Sequence, residues 1–203
     1  MKKILYIIRH GQTDFNKNGI VQGSGVDSNL NETGVMQSLR FFSEYKNIPF
    51  DAIYTSALKR TIQSAQPFID LGIRHHILPE LNEICWGEFE GKEIDDERHT
   101  EYLNVINKWR QGDLEAKWLN AESPLEMQAR QHLALEKIMA NTQEKTVLVA
   151  THGRYLRGFL CLLTGHPLHL MDDFEHGNLC LYILEYKDNK FEILKTNCQN
   201  HLS

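Results

Sequence analysis

The chain has 203 residues, 41% hydrophobic and 24% charged, with a formal net charge of −5. That is an ordinary composition for a soluble globular protein with length for a real core, and the absence of any basic run or stripe argues against nucleic acid as a general partner. No apolar run approaches the roughly 20 residues that cross a bilayer, so no membrane partner is expected.

Cys85, Cys161, Cys180 and Cys198 show neither C-x-x-C spacing nor a disulfide framework, and Met1-Lys2-Lys3 opens no export signal. A reducing cytoplasm is the compartment these features favour. Cys85, two residues past Glu83, is placed to line a pocket, with a plain buried thiol the favoured reading.

The run Ile4-Leu5-Tyr6-Ile7-Ile8 predicts a strand buried on both faces, ending at the sheet edge where open α/β folds place ligands. There stand Arg9-His10-Gly11-Gln12-Thr13. They supply a guanidinium fork suited to phosphate oxygens, an imidazole that can be nucleophile, base or metal ligand, and a glycine that permits close approach. Taken alone, the motif is equally a strand followed by a polar turn.

Asp14 to Leu30 reads as a loop over that edge. Asn31 predicts the N-cap of a helix with Val35, Leu39 and Phe42 on one face, running out near Asn47. Asp51–Thr55 predicts a second strand, and Ser56 the cap of a helix with Leu58, Ile62, Ala65 and Ile69 on its buried stripe. Pro67 should kink that helix or end it early. Arg60 lies in its first turn, off the stripe, either a solvated arginine or a second cation at the ligand edge.

Ile77-Leu78-Pro79 suggests a short edge strand. From Glu83 to Gly91, carboxylates mix with Trp86 and Phe89, and desolvation beside aromatics tends to raise a carboxylate's pKa as a general acid requires. On the residues alone Glu80, Glu83, Glu88 and Glu90 are rivals for that role. Residues 92–121 are polar and helical in pattern, with Tyr102, Val105, Ile106 and Trp109 on one face. They read as a helical lid insertion within a single domain spanning 1–203.

Ser123-Pro124-Leu125-Glu126 is a capping box with proline at the first helical position, opening a helix to about Asn141. Its Arg130 reads as a surface charge. Thr146–Ala150 is another buried-strand run. It ends in Thr151-His152-Gly153, and Leu156, Phe159, Leu160 and Leu163 continue at helical spacing from an N-terminus that favours an anion. If the two strands are neighbours, His10 and His152 meet at one site. Leu179–Tyr186 and Phe191–Thr196 predict an antiparallel hairpin across the four-residue turn Lys187–Lys190. The alternation predicts an α/β three-layer sandwich, a mostly parallel central sheet with helices on both faces.

Together these segments resemble the histidine phosphatase superfamily, which includes cofactor-dependent phosphoglycerate mutases and small-molecule phosphatases. Arg9-His10-Gly11, Asn16, Gln22-Gly23, Leu30-Asn31-Glu32-Thr33-Gly34 and Ser56-Ala57-Leu58-Lys59-Arg60 carry the resemblance. So do Leu81-Asn82-Glu83, Gly87-Glu88-Phe89-Glu90-Gly91, Thr151-His152-Gly153 and Asn178, all in the family's order. The loop between Gly23 and Asp27 departs from the common form by one extra residue.

The resemblance implies a phosphoglycerate mutase-like fold, His10 as the phosphorylated residue, Glu83 as proton donor, and Arg9, Arg60 and His152 as the phosphate pocket. Asn16, Gln22, Gly23, Gly153 and Asn178 would touch phosphate or substrate, or orient these groups. The implied activity is hydrolysis of a small phosphorylated metabolite through a phosphohistidine, with no metal or other cofactor.

Three alternatives stand beside it. A phosphoglycerate mutase would shield its phosphohistidine from water, and the few polar residues after Thr196 favour hydrolysis. A non-catalytic phospho-ligand binding domain would be expected to lose His10 or Glu83. A metallohydrolase would need ligand spacing that His75-His76, His166, His169 and His176 do not provide. The phosphomonoester itself stays open, as does a homodimer.

Overall fold

The structure, a computed structural model, describes residues 2–93 and 96–203. Among these, six strands form one sheet in the order β3-β2-β4-β1-β5-β6. They are β1 (Lys3–Arg9), β2 (Ala52–Thr55), β3 (Arg74–Ile77), β4 (Thr146–Thr151), β5 (Leu181–Lys187) and β6 (Lys190–Cys198). The first four are mutually parallel, and β5 and β6 close one side antiparallel, so the sheet is mixed. The helices are α1 (Asp14–Lys17), α2 (Glu32–Tyr45), α3 (Lys59–Ile69), α4 (Asp96–Arg110), α5 (Pro124–Ala140) and α6 (Gly153–Thr164).

Strand alternation sends successive side chains to opposite faces, and the core divides accordingly. Leu5, Ile7, Val147 and Val149 pack with Met127 and Ile138 of α5 and with Leu156 and Phe159 of α6. Ile8, Leu148 and Ala150 pack on the other side with Phe41 of α2 and with Ala65 and Phe68 of α3. Two helical layers around one sheet make the expected three-layer α/β sandwich. Among the described residues no helix is long and apolar enough to cross a membrane.

Several local expectations shift. The buried side of α2 is Gly34, Ser38 and Phe41, while Val35 and Leu39 are each 46% exposed. Small residues face α3 because the two helices approach closely there: Ser38 Oγ donates to Ser64 O at 2.9 Å. Apolar spacing alone therefore picked the wrong stripe. Ser56 does not cap α3, whose N-cap is Leu58, and Pro67 is accommodated two residues before the helix ends. The edge strand lies at Arg74–Ile77, upstream of the expected Ile77-Leu78-Pro79, and Pro79 starts a 3₁₀ turn instead. The hairpin turn is shorter than expected, with Asp188 and Asn189 at φ of 52° and 62°, as a two-residue type I′ turn requires.

The capping box forms as expected, with Ser123 N donating to Glu126 Oε2 at 2.8 Å and Glu126 N to Ser123 Oγ at 3.3 Å. Asn31 caps α2 through Gly34 N at 2.9 Å. That cap sets the start of α2 hard against the chain leaving β1. A Cβ on Gly34 would lie 2.1 Å from Gln12 O, and one on Gly11 would lie 2.7 Å from Gly34 O. Backbone must therefore shift if Gly34 gains a side chain. Gly34→Ala is expected to cost on the order of 2 kcal/mol, read as a lower midpoint in urea or thermal unfolding.

Candidate active site

Parallel pairing of β1 with β4 puts Arg9 opposite Thr151, so His10 and His152 leave the sheet side by side. Their ring centroids are 5.2 Å apart. The two strand ends meet as the paired motifs required.

The tautomers follow from the partners. His10 Nδ1 lies 2.7 Å from Gly11 O, which can only accept, so Nδ1 carries the proton and Nε2 keeps a lone pair. His152 Nδ1 accepts from Arg60 Nε at 3.1 Å, so its Nε2–H donates to Ser56 Oγ at 2.8 Å. Ser56 Oγ in turn lies 2.8 Å from Thr61 Oγ1. The residue expected to cap α3 instead fixes the second imidazole. His10 and His152 are both held well below the ordinary histidine pKa, first by burial and then by the Arg60 guanidinium.

A cavity of about 220 Å³ opens over this edge, bordered by Arg9, His10, Asn16, Gln22, Glu83 and Gly153 among the expected residues. Arg60 and His152 do not border it. They lie buried behind His10, with Arg60 donating to Val26 O at 2.5 Å and Gly23 O at 3.1 Å. Val26 belongs to the loop between Gly23 and Asp27. Asn178 also stands back, donating to His10 O at 3.1 Å and to Asn16 Oδ1 at 3.2 Å. Gln22 holds Thr13 Oγ1 at 2.8 Å.

The cations of the site differ from those around it. Arg9 donates through one amino group to His176 Nδ1 at 3.2 Å, and its buried Nε has no partner. The three hydrogen bonds of Arg60 go to two carbonyls and an imidazole. Among the described residues neither guanidinium bonds a carboxylate, whereas Arg110, Arg154 and Arg157 all pair with Asp172, and Arg130 pairs with Glu122. Burial pushes Arg60 down only to about 10, so it remains a cation near neutral pH. Positive charge that no protein carboxylate neutralises by contact is what a phosphate dianion would meet.

Glu83 is the buried carboxylate of the edge. Its Oε1 accepts from Ile84 N at 2.9 Å and Tyr155 N at 2.8 Å, and its Oε2 from Arg154 N at 3.0 Å. The N-terminus of α6, expected to face a bound anion, is thus filled by the protein's own carboxylate. Its rivals point elsewhere: Glu80 pairs with Lys137 at 2.6 Å, and Glu90 accepts from Gly25 N and Trp86 N, each at 2.8 Å.

Five further residues complete the cavity: Val21, Trp86, Tyr102, Arg154 and His176. His176, treated in sequence as one of several scattered histidines, is pushed down to about 3 by burial and by Arg9, Arg157 and Arg154. Arg154 is anchored to Asp172 at 2.6 Å and to Tyr102 Oη at 3.2 Å. Its guanidinium lies over the rings of Trp86 and Trp109. Arg130 is no free surface charge, since it makes five hydrogen bonds beneath the Glu83 loop. Only its distance in sequence from residues 80–83 concealed that. Among the described residues no group of three His, Cys, Asp or Glu side chains could hold a metal ion.

Comparison with known proteins shows the family to which the chain belongs. The family model described as histidine phosphatase superfamily (branch 1) matches residues 5–199. A protein of Hydrogenobacter thermophilus named putative phosphoserine phosphatase 2 is 32% identical over 196 residues, covering 96% of this chain and 95% of its own. A Yersinia pestis protein named probable phosphoglycerate mutase GpmB is 29% identical over 190 residues, covering 91% and 86%. Among solved structures, Bacillus stearothermophilus YhfR superposes with a TM-score of 0.88 at 26% identity, covering 99% of this chain and 100% of its own.

The depressed histidines carry a pH signature. In the unfolded chain they titrate near 6.5, whereas His10, His152 and His176 stay neutral in the folded protein to well below that. Below about pH 6.5 the unfolded state therefore takes up protons that the folded state refuses, and stability falls as pH drops toward the folded pKa values. Each such histidine contributes a slope of about 1.4 kcal/mol per pH unit. Urea unfolding across that range should trace the decline, and His176→Gln should make it shallower.

Proposed function

Because the chain belongs to the histidine phosphatase superfamily, we propose that it hydrolyses small phosphomonoesters in two steps through a phosphohistidine on His10. The observation that carries the proposal is the His10 tautomer. With Nδ1–H bound to Gly11 O, Nε2 is left nucleophilic on a residue that lines the cavity together with Arg9 and Glu83.

In the first step Nε2 attacks phosphorus in line, the ester P–O bond breaks, and the leaving oxygen takes a proton from the Glu83 carboxyl. Gly11 O supports the positive imidazole that results. In the second step Glu83 takes a proton from water as that water attacks phosphorus, and His10 leaves as the neutral ring. Arg9 and Arg60 offset the phosphoryl charge, with no metal required, and His152 fixes Arg60 beside His10. Asn16 and Asn178 hold the backbone and side chains around the nucleophile, Gln22 and Gly153 shape the walls, and Gly23 O holds Arg60.

A cavity of about 220 Å³ lies below the ~300–1,000 Å³ usual for drug-sized ligands, which suits a small metabolite. The name of the Hydrogenobacter thermophilus relative, putative phosphoserine phosphatase 2, points to the same class of substrate. On this reading residues 92–121, of which 94 and 95 lie outside the described residues, are part of the catalytic domain and act as the lid, their Tyr102 lining the cavity with Trp86 and Arg154.

Rapid acid and base quenching with a ³²P-labelled phosphomonoester should trap a base-stable, acid-labile phosphoprotein. His10→Ala should remove it and lower turnover by about 10⁴-fold or more. Excess EDTA should leave the rate unchanged. With a phosphoglycerate as substrate, free phosphate should appear faster than the isomeric ester; the reverse would make the protein a mutase.

A further inference from the structure

We propose that Arg130 is a positioning residue for Glu83, setting the aim of the proton donor from the side opposite the cavity; the inference rests on the two-step reading above. A guanidinium has five N–H donors in a rigid planar fork, and here all five are engaged. Nε and one amino group hold both oxygens of Glu122, at 2.7 and 2.8 Å. The remaining donors reach Glu80 O at 2.9 Å, Asn82 O at 2.6 Å and Glu83 O at 3.1 Å. Glu122 extends the clamp by accepting from Cys85 N at 3.3 Å.

The segment that carries Glu83 needs such a clamp. Between the 3₁₀ turns Pro79–Leu81 and Gly87–Phe89 the chain has no helix or strand partners for its backbone groups. Carbonyls there must find donors elsewhere, and Arg130 supplies them to Asn82 O and Glu83 O together with Glu80 O of the preceding turn. The same guanidinium lies 5.1 Å over the ring of Tyr155, whose backbone N–H holds Glu83 Oε1. One side chain of α5 thus ties the backbone of Glu83 and braces a residue that binds its carboxylate. Lysine could keep the charge but could not reproduce the planar fork.

Acting through a proton donor has a signature that general loosening lacks. An alkoxide must be protonated as it leaves, whereas p-nitrophenolate departs without help. If Arg130 aims Glu83, Arg130→Lys should lower kcat on an alkyl phosphate such as O-phosphoserine by about 10- to 100-fold. On p-nitrophenyl phosphate the loss should stay within about 3-fold, with KM little changed on either substrate. Glu122→Gln, which keeps the side-chain volume but breaks the two-point pairing, should give the same leaving-group bias and decides the matter if Arg130→Lys does not fold. Glu83→Gln gives the reference bias. An equal loss on both substrates, or none on either, would overturn the role assigned to Arg130. A wild-type protein that forms no phosphohistidine would instead remove the two-step reading itself.

Discussion

The site depends on the ladder between β1 and β4. Parallel neighbours stand about 4.8 Å apart, and with Arg9 opposite Thr151 the next residue on each strand is a histidine. No loop has to bring the imidazoles together, because the hydrogen bonds of the sheet hold them there. Both strands lie inside the sheet and are covered on both faces by helices, so neither ring can retreat into solvent.

Burying guanidinium groups beside those rings has a cost that the fold meets in an unusual way. Carbonyl oxygens and imidazole lone pairs, all neutral, accept from Arg9 and Arg60. Hydrogen bonding is largely satisfied while the charge is left without a carboxylate among the described residues, and burial, reinforced by the same field, keeps the nearby histidines unprotonated. Those two results are one arrangement: a protonated His10 would have no lone pair to attack with, and a carboxylate beside Arg60 would compete with the incoming phosphate.

What could be read along the chain was local. Continuous apolar runs marked β1 and β4, and the Ser123–Glu126 box and the Asn31 cap marked their helices, since each depends on residues within four positions. The paired histidine motifs were legible because each sits at the end of its own strand. Arg130 and His176 were missed for the opposite reason: the carbonyls that Arg130 holds lie 47 to 50 positions away, and the Arg9 that donates to His176 lies 167 away. The α2 face was misjudged because close helix contact selects small residues, which hydrophobic spacing ignores. The occupant of the α6 N-terminus was hidden as well, because an anion preference does not say whose anion arrives.

Asp172 gathers Arg154 and Arg157 on one oxygen and Arg110 on the other, joining α4 to α6. Such a hub is lopsided under substitution. Losing any single arginine leaves two cations still balanced around the shared carboxylate, whereas losing the aspartate leaves three guanidiniums crowded together with nothing to separate them. The part of the cavity that Arg154 lines therefore hangs on the shared aspartate far more than on any of the cations that surround it.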